Sequence, residues 1–235
     1  MNGNPKALRG AREIGVMSSL ALKAACLELV PRFERENGFA VLAQFVGGVE
    51  IGKRLRAGDP SELVIMAAAA IDEFVKQGLV VPGSRVDLVR SKIGMAVRSG
   101  APRPDISSAA ALRRAVEAAS AVAYSTGPSG VYIADVLKRW SSPGDKLRQS
   151  PPGVPAGDFV ARGDADIAFQ QISELLPVDG IDYVGPVPEE VQLVTVFSAG
   201  TNVRAKDPDA AQFLTDYLTA PAAYPVLESY GLEPA

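Results

Sequence analysis

Short apolar runs and amphipathic stretches alternate along the chain, which is the pattern of an α/β protein. The first apolar run, residues 14–17, predicts a buried strand, and apolar positions three and four apart after Leu20 predict a helix. Pro31 begins the segment expected to close that helix, with Gly38 as its C-cap. Because strands and helices keep alternating through the first half, we expect a parallel sheet there.

The same reasoning assigns the remaining elements. Predicted strands cover residues 39–46, 63–66, 92–98, 122–124, 166–169 and 191–197. Predicted helices cover residues 49–56, 71–77, 109–119, 131–140, 158–162, 170–176, 208–220 and 222–230.

Three turns that follow predicted strands and precede predicted helices are rich in hydrogen-bond donors. They are Ser18-Ser19, Gly47-Gly48 and the loop 125–130, which contains Thr126, Ser129 and Gly130. Free N–H groups and the positive end of the helix dipole favour an anion at such a point. For each residue alone, helix capping or turn formation explains the presence of that residue type as well as ligand contact does. Together with Gln170 and Gln171, which follow a fourth strand, the set favours contact with an anion.

Composition narrows the function classes. Apolar residues make up 47% and charged residues 22% of the chain, an ordinary globular mixture, and the net charge of -3 argues against nucleic acid and anionic membranes. The absence of histidine removes Ser-His-Asp triads and histidine-bearing metal sites, so we expect neither a metal nor a cofactor. The single cysteine, Cys26, lies on the apolar side of the first predicted helix and is expected to be a core thiol.

The sequence leaves two cellular locations open. Residues 1–10 lack the apolar region and cleavage site of a signal peptide, so the protein is expected either in the periplasm, with a leader removed, or in the cytoplasm. No run of about eighteen apolar residues occurs, so we do not expect a membrane-embedded chain.

Several motifs in their order resemble the periplasmic molybdate-binding group of solute-binding proteins of ABC transporters. They are Ser18-Ser-Leu-Ala-Leu-Lys23, Phe45-Val-Gly-Gly-Val49, Ser129-Gly-Val-Tyr132, Gln170-Gln-Ile-Ser-Glu-Leu-Leu-Pro177 and Val194-Thr-Val-Phe-Ser-Ala-Gly200. The resemblance implies an α/β fold of two lobes with mixed sheets flanked by helices and a ligand cleft between the lobes. Residues 1–91 and 198–235 would form lobe 1 and residues 92–197 lobe 2, with the chain crossing between them at 92–97 and 191–197.

Two departures from that group bear on the ligand. Gly48 stands where molybdate binders carry a serine, and Ala67 to Ala70 replace an acidic residue after the third strand. The pair Gln170-Gln171 and the loop 125–130 are more similar to a divergent subgroup that includes aconitate isomerase-like proteins. A di- or tricarboxylate is therefore the expected ligand in place of a tetrahedral oxyanion.

Three functions stay open. The first is a monomeric binding protein that captures a small anion for an ABC permease; its ligand-binding residues would be Ser18, Ser19, Gly47, Gly48, Thr126, Ser129, Gly130, Gln170 and Gln171. The second is an isomerase of an unsaturated organic acid, with Lys23, Tyr124 and Tyr132 near the turns as candidate bases and the catalytic residue undetermined. The third is a cytoplasmic sensor or anion-storage protein with the same cleft, and for a binding protein a molybdate- or tungstate-type oxyanion is the alternative ligand.

Overall fold

The computed structural model describes residues 12–140 and 144–235. Residues 1–10, on which the signal-peptide argument rests and with which predicted lobe 1 begins, lie outside the described residues. The chain divides into two compact units. Unit 1 contains the residues up to Leu88 and Phe197–Val226, and unit 2 contains Val89–Val196 and Leu227–Ala235. The lobe boundaries stated above stay a prediction.

The larger of the two sheets is mixed. Its strands are β1 (Arg12–Ser18), β2 (Phe39–Phe45), β3 (Leu63–Ala67), β4 (Val86–Ser91), β10 (Thr195–Thr201) and β11 (Leu232–Pro234). Within the described residues they lie in the order β11-β4-β10-β3-β1-β2. β1 pairs in parallel with both β2 and β3, which agrees with the expected parallel half, whereas β10 runs antiparallel to β3. The carboxyl ends of β1, β2 and β3 therefore share one edge.

The second sheet belongs to unit 2. Its strands are β5 (Ile93–Arg98), β6 (Val122–Tyr124), β7 (Leu147–Gln149), β8 (Ile167–Gln171) and β9 (Ile181–Pro186), in the order β7-β6-β8-β5-β9. β6 is parallel to β7 and β8, and β5 is antiparallel to β8 and β9. The carboxyl ends of β6, β7 and β8 share one edge, as those of β1 to β3 do in the first sheet.

Helices connect most of the strands. They are α1 (Lys23–Asn37), α2 (Gly48–Arg56), α3 (Ala68–Lys76), α4 (Ala109–Ala118), α5 (Pro128–Arg139), α6 (Gly157–Arg162), α7 (Ile172–Leu175), α8 (Pro208–Thr219) and α9 (Tyr224–Ser229). The expectation that the first helix ends from Pro31 onward is wrong, because α1 runs through Pro31 to Asn37. Its end at Gly38, where φ is 71°, is confirmed.

Other differences from the prediction concern strand limits. Gln170 and Gln171 end β8 instead of starting a helix, and the predicted strand 191–197 is wrong at both ends, since β10 spans Thr195–Thr201. The short strands β7, β9 and β11 were not predicted. The differences at the ends of β8 and β10 and in the three-residue strands β7 and β11 share a cause. A strand end or a three-residue strand depends on a neighbouring strand for its hydrogen bonds, which local sequence does not reveal.

Each unit has its own apolar core. In unit 1, one cluster packs Met17 and Val64 of the sheet against Ile51 of α2 and Ile71 and Phe74 of α3. In unit 2, a separate cluster packs strands β5, β6 and β8 against helices α4 and α5, with members including Met95, Leu112, Val122, Ile133 and Phe169. Cys26 is buried, as expected, and burial raises the pKa of its thiol to about 12.

Candidate functional site

In unit 1 the serine pair lies at the carboxyl end of β1. Ser18 is fully buried and its Oγ donates to the main-chain oxygen of Ser19 at 3.0 Å. Ser19 begins a short 3-10 helix (Leu20–Leu22), and its Oγ accepts a hydrogen bond from Ala21 N at 3.3 Å. Ser19 is therefore a capping residue, and because it uses its oxygen as an acceptor, its hydroxyl proton stays free to donate to an anion.

Gly47 and Gly48 lie beside this turn, at the carboxyl end of β2. Gly47 is the N-cap of α2 with an ordinary φ of −67°, so the backbone does not require a glycine there. A Cβ on Gly47 would meet nothing within 4 Å, and one on Gly48 would lie 3.3 Å from the Met66 methyl group. What the two glycines provide is an uncovered main chain at the first turn of a nine-residue helix.

The third strand of this edge ends in alanines. Ala67 is the N-cap of α3, and neither this cap nor that of α2 has a side-chain hydrogen bond among the described residues. The edge of unit 1 thus combines Ser19 with two helix starts whose first N–H groups are not satisfied by a capping side chain. Such groups stabilise a negative charge without a buried cation.

In unit 2 the loop after β6 is shaped by one close approach. A Cβ on Gly130 would lie 1.8 Å from the main-chain oxygen of Ser125, so the first turn of α5 can pack against this loop only if position 130 is glycine. Ser129 is 1% exposed, Thr126 is half-buried, and Gly127 is the N-cap of α5 without a side-chain cap. The structure therefore brings Thr126, Ser129 and Gly130 together at one helix start.

Gln170 and Gln171 end the neighbouring strand β8, and both side chains are engaged inside unit 2. Oε1 of Gln170 accepts from Ala156 N at 2.7 Å, and its Nε2 donates to Glu174. The amide orientation of Gln171 that satisfies both its ends donates to Ser91 Oγ at 2.8 Å and accepts from Thr195 Oγ1 at 3.0 Å. Both side chains are at most 2% exposed, so their main contacts are with the protein.

Glu174 is a site residue that the sequence reasoning missed. It lies four positions after Gln170, in the short helix α7 that directly follows the carboxyl end of β8. Burial raises the pKa of the Glu174 carboxyl to about 7, and the hydrogen bond from Gln170 opposes that rise. The spacing of an amide and an acid at i and i+4 was the available signal, but residues 170–176 were assigned to a helix and no role was considered for the acid.

The candidate bases named from the sequence have other surroundings. Lys23 is exposed at the first position of α1, whereas Tyr124 and Tyr132 pack against the apolar core of unit 2. Two buried serine hydroxyls of unit 2, those of Ser150 and Ser173, have no hydrogen-bond partner among the described residues. Ser150 follows the carboxyl end of β7 and donates its main-chain N–H to Tyr124 O at 2.9 Å.

Comparison with known proteins supports one family. The family model described as bacterial extracellular solute-binding protein matches residues 14–233. Aconitate isomerase from Pseudomonas sp is 38% identical over 231 residues, which are 93% of this chain and 87% of the relative. The molybdate-binding protein ModA from Azotobacter vinelandii is 26% identical over 232 residues, 94% of this chain and 90% of the relative.

The solved structures agree on the fold. The periplasmic molybdate-binding protein of Azotobacter vinelandii superposes with a TM-score of 0.79 at 16% identity, covering 94% of this chain and 99% of that protein. The predicted α/β fold with two mixed sheets and the resemblance to the molybdate-binding group are thereby confirmed. Among the described residues, no helix has the length and apolar character needed to cross a membrane. The chain belongs to the family of bacterial extracellular solute-binding proteins, within its molybdate-binding-like group.

Proposed function

We propose that this protein binds a small di- or tricarboxylate and delivers it, as a periplasmic monomer, to an ABC permease. The observation that carries the proposal is the set of neutral donors at strand ends: in unit 1, Ser19 stands beside two helix starts without side-chain caps. Hydroxyl and main-chain donors hold a carboxylate by charge-assisted hydrogen bonds. The proposed contacts are those of Ser18, Ser19, Gly47, Gly48, Thr126, Ser129, Gly130, Gln170 and Gln171.

The preference for a carboxylate follows from what the strand ends lack. A tetrahedral oxyanion needs a compact shell of donors, but Gly48 offers no hydroxyl and Ala67 begins a run of alanines that offers no polar side chain. These positions leave space and an apolar wall, which suit a carbon skeleton between separated carboxylates.

An isomerase is the second candidate function. The observation that favours it is the 38% identity to a protein named aconitate isomerase over 93% of this chain. Moving a double bond within an unsaturated acid requires the same carboxylate contacts plus one group that removes and returns a proton.

Calorimetric titration of ligand-free protein tests the binding proposal. We expect heat from citrate and from cis- and trans-aconitate, and much weaker binding of molybdate and sulfate. Tight binding of molybdate with no response to the organic acids would refute the carboxylate preference.

Two serine variants test the proposed contacts. Ser129→Ala and Ser19→Ala should each weaken carboxylate binding by about 1.5–3 kcal/mol, the loss of one charge-assisted hydrogen bond. Ser19→Ala should also lower the free energy of unfolding by about 1 kcal/mol, because its Oγ caps a helix.

The capping control is Asp207→Ala. Asp207 caps α8, because its Oδ1 accepts a hydrogen bond from Ala210 N at 3.1 Å. Helix α8 follows the end of β10, where Thr201 pairs with Leu63, the first residue of β3. This cap therefore lies away from the carboxyl ends of β1 to β3. Asp207→Ala should destabilise the protein with unchanged ligand affinity; the same behaviour in Ser19→Ala would remove Ser19 from the binding site.

A further inference from the structure

We propose that Glu174 is the catalytic base and acid that carries the proton when this chain moves the double bond of an unsaturated di- or tricarboxylate. The inference rests on the isomerase function proposed above and adds the residue that this reaction needs. It is drawn from the contacts around α7, where a carboxyl group is held in place at the carboxyl end of a strand.

The position of the Glu174 side chain is fixed by Gln170. The amide of Gln170 donates to Glu174 Oε2 through Nε2, and its Oε1 accepts from Ala156 N at 2.7 Å. Because Gln170 is 2% exposed and bonded at both ends, it cannot turn away from Glu174 without breaking the contact to Ala156. Gln170 is therefore a positioning residue that holds one carboxyl oxygen and leaves the other available.

The sheet edge at which Glu174 lies, formed by the carboxyl ends of β6, β7 and β8, contains unused hydrogen-bonding capacity. Ser173, the preceding residue, is 2% exposed and Ser150, at the end of β7, is 1% exposed. Neither hydroxyl has a hydrogen-bond partner among the described residues. Buried polar groups are normally paired, so these hydroxyls indicate a polar occupant in this part of unit 2.

Among the described residues, no cation is paired with the Glu174 carboxyl. The strands packed most closely against α7 are β5 and β8. β5 carries Arg98 at the end remote from α7, since Ile93 pairs with Gln171 while Arg98 pairs with Ile181. β8 carries no ionisable side chain.

The segments next to these strands contribute further titratable groups, and Tyr183 and Glu228 line the same cleft as Ile172 and Leu176. Lys92, whose main-chain oxygen accepts from Ile172 N at 3.0 Å, places its ammonium 2.9 Å from Glu233. Asp158 lies half-buried in the first turn of α6. Burial is accordingly the main reason that the pKa of Glu174 rises to about 7. A carboxyl group with a pKa near 7 is suited to take up and return a proton at neutral pH.

The reaction balances with this one group. The free carboxylate oxygen of Glu174 takes a proton from the methylene carbon of the substrate, and the electrons of that C–H bond form a double bond to the central carbon. The electrons of the original double bond move to its far carbon, which then receives the proton from Glu174. One C–H bond breaks, one forms, and Glu174 returns to the carboxylate without an oxidant, a reductant or a co-reactant.

Proton NMR of the full-length chain with trans-aconitate in D₂O tests the proposal. Wild type should incorporate deuterium at the methylene carbon and form cis-aconitate, with a rate that rises with pH to a plateau above about pH 7 as the carboxylate forms. Glu174→Gln should lower both rates by about 10²–10⁴-fold. Calorimetry should show its affinity for trans-aconitate changed by less than about tenfold, because the Gln170 contact and the other donors remain.

Two further variants separate a catalytic from a structural role. Glu190→Gln removes an exposed acid of the same unit and should leave both rates unchanged. Glu174→Asp should restore part of the exchange, because it keeps the carboxylate at a shorter reach. A merely structural role would instead lower affinity and thermal stability together and leave the pH profile of the remaining activity unchanged.

The outcomes are distinguishable. Wild type that binds trans-aconitate with no deuterium exchange refutes the isomerase function, and the role of Glu174 falls with it. Exchange in Glu174→Gln at the wild-type rate overturns the role of Glu174 alone. If Glu174→Gln does not fold, the pH dependence of the wild-type isomerisation rate decides. A profile without an inflection between about pH 6 and 8 overturns the proposal, whereas an inflection there, together with activity in Glu174→Asp, supports it.

Discussion

Gly130 shows how one residue determines the geometry of a predicted binding loop. Its position in a hydroxyl-rich turn indicated contact with an anion, but the structure gives it a steric role as well, since a Cβ there would overlap the main-chain oxygen of Ser125. A side chain at position 130 would separate the first turn of α5 from the loop that carries Thr126. The glycine therefore places the neighbouring donors.

Gly130→Ala should destabilise the protein by about 1–3 kcal/mol or more, because the overlapping atom belongs to the backbone and cannot move aside as a side chain would. Gly144→Ala is the matched control, since a Cβ at that position of unit 2 meets no atom of the described residues within 4 Å. The control should stay within about 0.5 kcal/mol of wild type. Urea unfolding measures both; equal stability of Gly130→Ala and wild type would contradict the close approach.

The two glutamines illustrate a different limit at the residue scale. Local sequence identified Gln170 and Gln171 as polar groups next to a strand, which is correct, and assigned both to the ligand. The structure shows that each amide already has protein partners, Ala156 and Glu174 for one and Thr195 for the other. Direct contact of either amide with the ligand stays a prediction, and the indirect role of Gln170 through Glu174 has stronger structural support.

At the scale of elements, α1 continues through a proline that was expected to help end it. Pro31 is exposed in the ninth of fifteen helical positions and cannot donate to the carbonyl of Leu27. Burial of Ala25, Cys26, Leu29 and Phe33 keeps the helix intact on both sides of it. Phe33 also contacts the rings of Phe39 and Phe213, at centroid distances of 5.5 Å each. Tertiary packing thus outweighs the local preference.

Pro31→Ala should raise the free energy of unfolding by about 1–3 kcal/mol, since alanine restores the missing hydrogen bond and is up to about 3 kcal/mol more favourable inside a helix. The gain is partly offset because proline restricts the unfolded chain. Pro208→Ala is the control: Pro208 occupies the first position of α8, where proline is compatible with the helix, and its replacement should give no gain. Equal gains in both variants would show that the effect does not come from the helix interior.

At the scale of the whole molecule, the chain joins two compact units, each with a sheet edge at which donor-rich turns meet. Its net charge is -3, so long-range attraction does not bring an anion to it. Affinity for a carboxylate has to come from short-range hydrogen bonds, and it should therefore appear as ligand-linked stabilisation that depends on the kind of anion.

A di- or tricarboxylate at one hundred times its Kd should stabilise the native state by about 2.7 kcal/mol. For a chain of this length that corresponds to a rise in Tm of roughly 5–10 °C. Thermal unfolding with citrate or trans-aconitate, compared with sodium chloride, sulfate and molybdate at equal ionic strength, measures the effect. The same shift with every salt would indicate a non-specific ionic effect and count against a carboxylate site.

The sequence by itself determined the order of most strands and helices, the α/β class, the buried thiol and the family. These depend on apolar periodicity, turn residues and short motifs, all of which are local properties of the chain. It also located the serine, glycine and glutamine positions at strand ends, because a strand followed by a polar turn and a helix is readable from a few residues.

The tertiary structure alone decided the features that need a partner distant in sequence. β10 joins β3 antiparallel, and β7 and β11 form against strands far along the chain. Gln170 reaches Ala156 across fourteen positions, and the burial of Glu174 that raises its pKa comes from folding. Strand pairing and desolvation arise when separate segments pack together, so a local pattern cannot contain them.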